Sequence, residues 1–410
     1  MASTIALIGA LDTKGAEYEF VRRCIHARGH RTLLIDVGVF PPAEIVPDIP
    51  RDEVARAGGA EMDQLLRQRD RGEAVAAMAR GAAVLVPRLY AEGRLDAVLA
   101  LGGGGGTSVA CAAMRALPLG VPKVMVSTVA GGDVSGYVGV KDIVMVPSIV
   151  DVAGLNRISR EVFARAAGAV CGMAETEVVP RDEDKPLVVA SMFGNTTPCV
   201  EAAKTILEKA GYEVLVFHAT GTGGRTMESL IESGRIAGVL DITTTEWADE
   251  LVGGVLAAGP ARLEAAARYG VPAIVTPACL DMVNFWAPET VPPKFEGRRF
   301  YPHNPNITLM RTTPEECRRL GRIVAEKLNL SRGPVTVLIP LKGLSMIDAP
   351  GGPFWWPEAD QAFTDSLKED LRPDIPVVEI AANVNDPEFA QRCADTLLDN
   401  IGAKSNKPNQ

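Results

Sequence analysis

The chain has 410 residues, 47% of them hydrophobic, and a formal net charge of -9. That length exceeds what one hydrophobic core ordinarily serves, so two domains are expected. The acidic balance, with no dense Lys/Arg block, argues against nucleic acid as a partner. No apolar stretch reaches the ~18 to 20 residues that cross a bilayer, and the start "MASTIALIGALDTKG" lacks the basic head and long apolar core of a signal peptide. A cytoplasmic protein with no membrane partner is the expectation.

Apolar strand-like runs alternate with helical patterns along the whole chain, the pattern of parallel sheets covered on both faces. The first strand is "TIALIGAL" (4–11), followed by a helix over 13–28 and the strand "TLLIDVG" (32–38). A polar, Pro-containing excursion leads to a helical pattern over 72–93 and the strand "DAVLALG" (96–102). Five glycines come next, then a helix over 108–117, the strand "KVMVST" (123–128), the loop "AGGDVSGYVG" (130–139), the strand "IVMVPS" (143–148) and a helix over 155–173. The charged, Pro-bounded "PRDEDKP" (180–186) marks a boundary. We therefore expect a nucleotide-binding α/β domain over 1–180, a linker over 181–186, a second α/β domain over 187–404 and a disordered tail over 405–410, with a ligand cleft between the domains.

The second half repeats the alternation. Strands are predicted at 187–193, 213–219, 238–244, 273–279, 335–341 and 377–383, with helices over 198–210, 226–234, 360–371 and 388–401. Residues 280–306 read as irregular. Both halves thus read as doubly wound, mostly parallel, Rossmann-like sheets.

The run "LALGGGGGTS" (99–108) poses the main question. Glycine is costly in regular structure, so five in succession answer a geometric demand. They follow a strand and open a helix, where unpaired amides and the helix dipole favour an anion, and Gly102, Gly103, Gly104, Gly105 and Gly106 remove the Cβ atoms that would hold a phosphate away. Thr107 or Ser108 can cap that helix. Thr107 departs from the G-x-G-x-x-G pattern counted from Gly102, and no Lys follows as a P-loop requires, so neither standard nucleotide template applies.

Other strand ends should converge on the same edge. Asp12 and Thr13 can cap the first helix, and Lys14 offers a cation to a phosphate. Asp36 stands where a doubly wound fold places an acid for a ribose hydroxyl. Ser127 and Thr128 end the next strand, and Asp133 is the candidate for a magnesium-bound water. In the second half "ATGTGGRT" (219–226) suggests a further anion site with Arg225 as a clamp. His303, in a Pro-rich loop, is a candidate acid/base; Asp281 and Glu246, with Lys342, could supply a carboxylate pair and a cation. No G-x-S-x-G elbow occurs. Seven scattered cysteines and four histidines show neither disulfide nor zinc spacing.

The segments "GALDTKGAE", "LALGGGGGTSVACAAMRALPLG", "SMFGNTTPCVEAAKTILEKAGYEVLVFHATGTGGR", "DITTTEWADELVGGV" and "HNPNITLMRTTPEE" resemble an ATP-binding family that includes the N-terminal region of the tomato mosaic virus resistance protein. That resemblance implies ATP binding, with Gly102 to Gly106 and Thr107 as the phosphate loop, and a homodimer. In the plant protein the corresponding region binds ATP and a viral replication helicase domain, and a further barrel domain follows it. Two readings stand at this point: a protein that binds ATP with magnesium, and an enzyme acting on a sugar acid or other carboxylate by phosphoryl transfer or rearrangement, using Arg225, His303, Asp281 and Glu246.

Overall fold

The structure, a computed structural model, describes residues 2–40, 45–177 and 184–405. Of the expected linker 181–186, residues 181–183 lie outside the described residues, as does the expected tail beyond Ser405. The chain divides into two compact units, Met1–Pro180 and Arg181–Gln410.

In the first unit, strands β1 (Thr4–Gly9), β2 (Arg31–Asp36), β3 (Ala97–Gly102), β4 (Lys123–Ser127) and β5 (Val144–Pro147) form a parallel sheet in the order β2-β1-β3-β4-β5. Helices α1 (Leu11–His26), α2 (Arg51–Ala57), α3 (Met62–Gln68), α4 (Arg71–Ala91), α5 (Gly104–Ala116), α6 (Ser135–Val138) and α7 (Arg157–Glu175) connect them. The strands read as unbroken apolar runs because both faces are covered. Ile5 and Leu7 of β1 pack with Val21 and Phe163 on one side; Ala6 and Ile8 pack with Met78, Leu85 and Met114 on the other. Each of these side chains larger than alanine contributes about 1.5–3 kcal/mol through burial.

The order places β1 beside β3, the switch point where an open α/β sheet leaves a crevice at its carboxyl ends. Tyr18 of α1 ties the two strands there: its hydroxyl donates to the Ile8 carbonyl at 2.5 Å and accepts from the Leu101 amide at 2.8 Å. Gly9 is glycine for this reason, since a Cβ would lie 2.0 Å from the Tyr18 ring.

Helix α4, with 21 residues, is long and apolar enough to cross a membrane by length and composition, against the expectation that no stretch qualifies. Its apolar face is spent on the core: Ala77, Met78, Ala82, Leu85, Val86 and Leu89 are buried against the first sheet.

The second unit contains β6 (Leu187–Met192), β7 (Glu213–His218), β8 (Ile236–Thr243), β9 (Ala273–Ala278), β10 (Met282–Phe285), β11 (Phe300–Asn304), β12 (Ile307–Arg311), β13 (Val335–Pro340) and β14 (Val377–Ile380). Six of these make a parallel sheet, β14-β13-β9-β8-β6-β7, and three an antiparallel one, β10-β12-β11. Its helices are α8 (Thr197–Lys209), α9 (Thr222–Glu232), α10 (Glu246–Val252), α11 (Glu264–Tyr269), α12 (Pro314–Leu328), α13 (Pro357–Asp370) and α14 (Pro387–Ser405). The stretch 280–306, expected to be irregular, supplies β10 and β11, whose partner β12 follows at once. Helix α12 has a full capping box, Thr313 with Glu316, and Pro314 in its first turn.

Candidate functional site

The glycine run is a tighter turn than its composition suggests. β3 ends at Gly102, Gly103 is the N-cap with φ -83, and Gly104, Gly105 and Gly106 form the first turn of α5. The helix therefore begins four residues before the expected Ser108. None of the five has a positive φ. Only Gly102 is crowded, because a Cβ there would meet the Gly106 Cα at 3.1 Å. At Gly103, Gly104, Gly105 and Gly106 the nearest atoms lie 3.6, 3.9, 3.7 and 3.7 Å away, ordinary contact distances. The fold itself would accept a side chain at four of the five positions.

Neither expected hydroxyl caps this helix start. Thr107, fully buried, donates to the Gly103 carbonyl at 2.8 Å and pairs with Ser127 at 2.6 Å. Ser108 bonds back to the Gly104 carbonyl at 3.0 Å. Thr107 and Ser127 thus latch α5 to β4, and the first-turn amides are left for solvent or an anion.

Beside the turn lies a cavity of about 800 Å³, in the size range of small-molecule sites. Asp12 and Thr13 wall it after β1, Val37, Gly38 and Phe40 after β2, and Gly105 and Gly106 at the helix start. Leu65, Leu66, Val75 and Met78 give it an apolar side. The α3–α4 junction, Arg69, Asp70 and Arg71, completes the lining. Asp70 caps α4 through the Glu73 amide at 3.0 Å, while Arg69 and Arg71 are exposed and, among the described residues, carry no ion pair. Arg69 holds a left-handed φ of 54 at the end of α3, which aims the junction outward. Sequence reading missed both arginines because "RQRDRGE" looks like an ordinary solvated stretch.

The other expected residues of this edge fall into two groups. Asp12 and Thr13 line the cavity; Asp12 accepts the amides of Val39 and Phe40 at 3.1 and 3.0 Å. Asp36 and Lys14 do not line it, which corrects their expected roles. Asp36 is fully buried, and its Oδ1 accepts from the Leu11 and Gly38 amides at 3.2 and 2.9 Å, so it joins β2 to α1 and does not face a ribose. Burial pushes its carboxyl above the ordinary range. The Lys14 ammonium is turned to the Val152 carbonyl. Asp133 is exposed and accepts the Ser135 amide at 2.9 Å, a contact that draws its pKa down. No group of three or more metal-capable side chains surrounds it or occurs elsewhere among the described residues.

In the second unit the expected anion site at 219–226 is occupied by the protein. Glu246 accepts the amides of Gly221 and Gly224, at 2.7 and 3.1 Å, where α9 starts. Its other oxygen takes Nε of Arg262 at 2.7 Å, and that guanidinium, 1% exposed, also binds Asp241 twice at 2.6 Å and Glu228 at 3.1 Å. Burial raises the Glu228 carboxyl. Here the glycines answer to packing: a Cβ on Gly223 would lie 1.8 Å from the His218 carbonyl, and one on Gly224 2.1 Å from Glu246. Glu246 is thus an internal cap and no free acid.

Arg225 is exposed, and among the described residues its guanidinium reaches only the Thr222 hydroxyl, at 3.4 Å. Asp281 is fully buried, bonded to the Ser345 hydroxyl at 2.8 Å, and shares its surroundings with Asp348 and Arg311; burial, reinforced by Asp348 and opposed by Arg311, pushes it up to about 7. His303 lies in strand β11, not in a loop without register, exposed at an irregularity between Pro302 and Asn304. The structure does not bring Glu246, Asp281 and Lys342 together: Glu246 belongs to the Arg262 network, Asp281 to the Arg311 cluster, and Lys342 is exposed.

Two doubly wound units, the first with an uncapped glycine helix start beside a cavity, define an α/β protein of the Rossmann-like class. The chain belongs to the Uncharacterised protein family (UPF0261), whose N-terminal domain matches residues 3–178 and whose C-terminal domain matches 185–401. A UPF0261 protein of Clostridium tetani is 50% identical over 399 residues, 97% of this chain and 99% of that one. The ToMV resistance protein Tm-1(GCR237) of Solanum lycopersicum is 43% identical over 342 residues, 82% of this chain but 45% of the plant protein. A solved UDP-N-acetylglucosamine 2-epimerase from Rickettsia bellii aligns over 99% of both chains at 12% identity with a TM-score of 0.23, too low to carry an argument.

Proposed function

We propose that the protein binds ATP at the carboxyl edge of the first sheet, with the phosphates on the amides of Gly103 to Gly106 and the adenine against the apolar wall of the cavity. One observation carries the reading: four glycines that the fold does not need stand at a helix start that no side chain caps. Their missing Cβ atoms serve something outside the protein, and an anion is what such amides attract. Arg69 and Arg71 at the rim supply the positive charge that the sequence reading had assigned to Lys14. The residues do not build a magnesium site, so any magnesium would be carried by the phosphates. No observation favours the alternative of a sugar-acid enzyme, since Glu246 and Asp281 are buried in ion networks and Arg225 and His303 are exposed.

Isothermal titration of the wild type and Gly104→Val with ATP, ADP and a panel of sugar phosphates tests this. Saturable ATP binding in the wild type, lost in a Gly104→Val variant of unchanged circular dichroism, is expected. Equal affinity in the two proteins, or no ATP binding by the wild type, overturns the proposal.

A further inference from the structure

A second cavity lies near the Gly103 end of the glycine turn. Gly105 and Gly106 wall the large cavity, while the nearest atom to a Cβ at Gly103 is the Thr128 hydroxyl, 3.6 Å away. Thr128 lines a separate cavity of about 430 Å³ at the ends of β4 and β5, together with Gly131, Ser148, Ile149 and Asp151. Its amide is pinned to the Gly102 carbonyl at 3.2 Å, so this wall is fixed to the glycine turn itself.

The lip of this cavity is strained. Ile149 has φ +66, a conformation that a β-branched residue adopts only under constraint. The Val150 amide closes onto the Ser148 carbonyl at 2.7 Å across it, the two-residue closure of the rare γ-turn with positive φ. The Ser148 hydroxyl reinforces the turn by donating to the Val150 carbonyl at 2.6 Å. The turn holds the Ile149 side chain 75% exposed and leaves Asp151, also exposed, with no ion pair or hydrogen bond among the described residues. Strain of this sort persists only where the surroundings fix it.

The lining chemistry selects a ligand class. It offers one carboxylate, Asp151, and one hydroxyl free among the described residues, Thr128, the buried Ser148 hydroxyl being given to the Val150 carbonyl, with no cationic side chain. An anionic substrate would meet repulsion and no counter-charge, whereas a hydroxyl-bearing neutral molecule would donate to Asp151 and exchange hydrogen bonds with Thr128. We propose that this cavity is a second binding site, for a neutral polyol or sugar, separate in its lining from the nucleotide cavity and bordered by Thr128 beside the glycine turn. The site stands on its own lining and does not require that ATP occupy the other one.

The test is titration of the full chain with glycerol, ribose, glucose and myo-inositol, with gluconate as the charged control, followed by saturation-transfer NMR. At least one neutral compound should bind, its Kd should rise about tenfold or more in Asp151→Ala and by severalfold in Thr128→Val, as expected for a lost hydrogen bond to a charged group and to a neutral hydroxyl, and ATP affinity should stay within about twofold in Asp151→Ala. No binding by any neutral compound, preference for gluconate, or binding untouched by both substitutions overturns the proposal. Polyol binding in a protein that ignores ATP would leave this site standing and remove the nucleotide reading alone.

Discussion

Replacing Gly105 by alanine separates what the fold needs from what a ligand needs. Gly105 sits in the first turn of α5 with a negative φ, and the new methyl would find its nearest neighbour, Val75 Cγ2, at 3.7 Å. Nothing has to move. Alanine in place of glycine in a helix then stabilises by about 0.5–1 kcal/mol, which for a unit of this size raises Tm by about 1–4 °C. A phosphate oxygen must approach the amide nitrogens to about 2.7–3.2 Å, and the methyl stands in that approach, so ATP affinity should fall by about tenfold or more, equivalent to about 1.4 kcal/mol. Differential scanning calorimetry and isothermal titration on one preparation read both quantities. A variant that is more stable and binds ATP as well as the wild type refutes the reasoning, and so does one that loses stability. Gly102→Ala supplies the opposite control: its methyl would meet Gly106 Cα at 3.1 Å, so it should destabilise.

Arg69→Ala combined with Arg71→Ala should weaken ATP and ADP binding by about tenfold or more through lost charge-assisted hydrogen bonds and leave adenosine unaffected; equal losses for all three would refute a phosphate role. Glu246→Ala strips a partner from the buried Arg262 and uncaps α9, at a cost of about 3–5 kcal/mol in urea unfolding; a loss under about 1 kcal/mol would show that the network is dispensable. The second unit should also be more stable at pH 5.5 than at pH 8.5. Burial holds Asp249 up at about 7, Asp281 at about 7 and Asp360 at about 8, so the folded state keeps protons that the unfolded chain has released above pH ~4. The stabilisation is complete below that pH and lost as pH rises through 7 to 8. A Tm that climbs across this window would contradict it.

The sheets were legible because strands covered on both faces cannot alternate: after Thr4, "IALIG" carries no polar side chain and neither does "AVLALG", and each became a central strand. Helix starts were less legible. Propensity pushes glycine out of helices, which is why α5 was expected at Ser108 when it begins at Gly104, and α9 at Thr226 when it begins at Thr222. The signal for α12 was present and unused: T-P-E-E places a cap, a first-turn proline and the reciprocal Glu316 in four residues. What no local pattern reveals is partnership at a distance. Arg262 meets acids from three separate elements, and without that arginine Glu246 reads as a free catalytic acid. Asp36 likewise occupies the textual position of a ribose ligand, but its neighbours in space are backbone amides.

The two glycine turns differ in who provides their negative charge. In the second unit the carboxylate of Glu246 is already part of the chain, held on the Gly221 and Gly224 amides and impossible to wash out, so that turn is complete from the moment the unit folds. On the proposed reading, the first unit leaves the same job to a dissolved nucleotide. Its thermal resistance should therefore track ligand concentration by mass action, while its neighbour's stays indifferent, and a protein whose halves answer so unequally to one small molecule can report that molecule's abundance in the firmness of one domain.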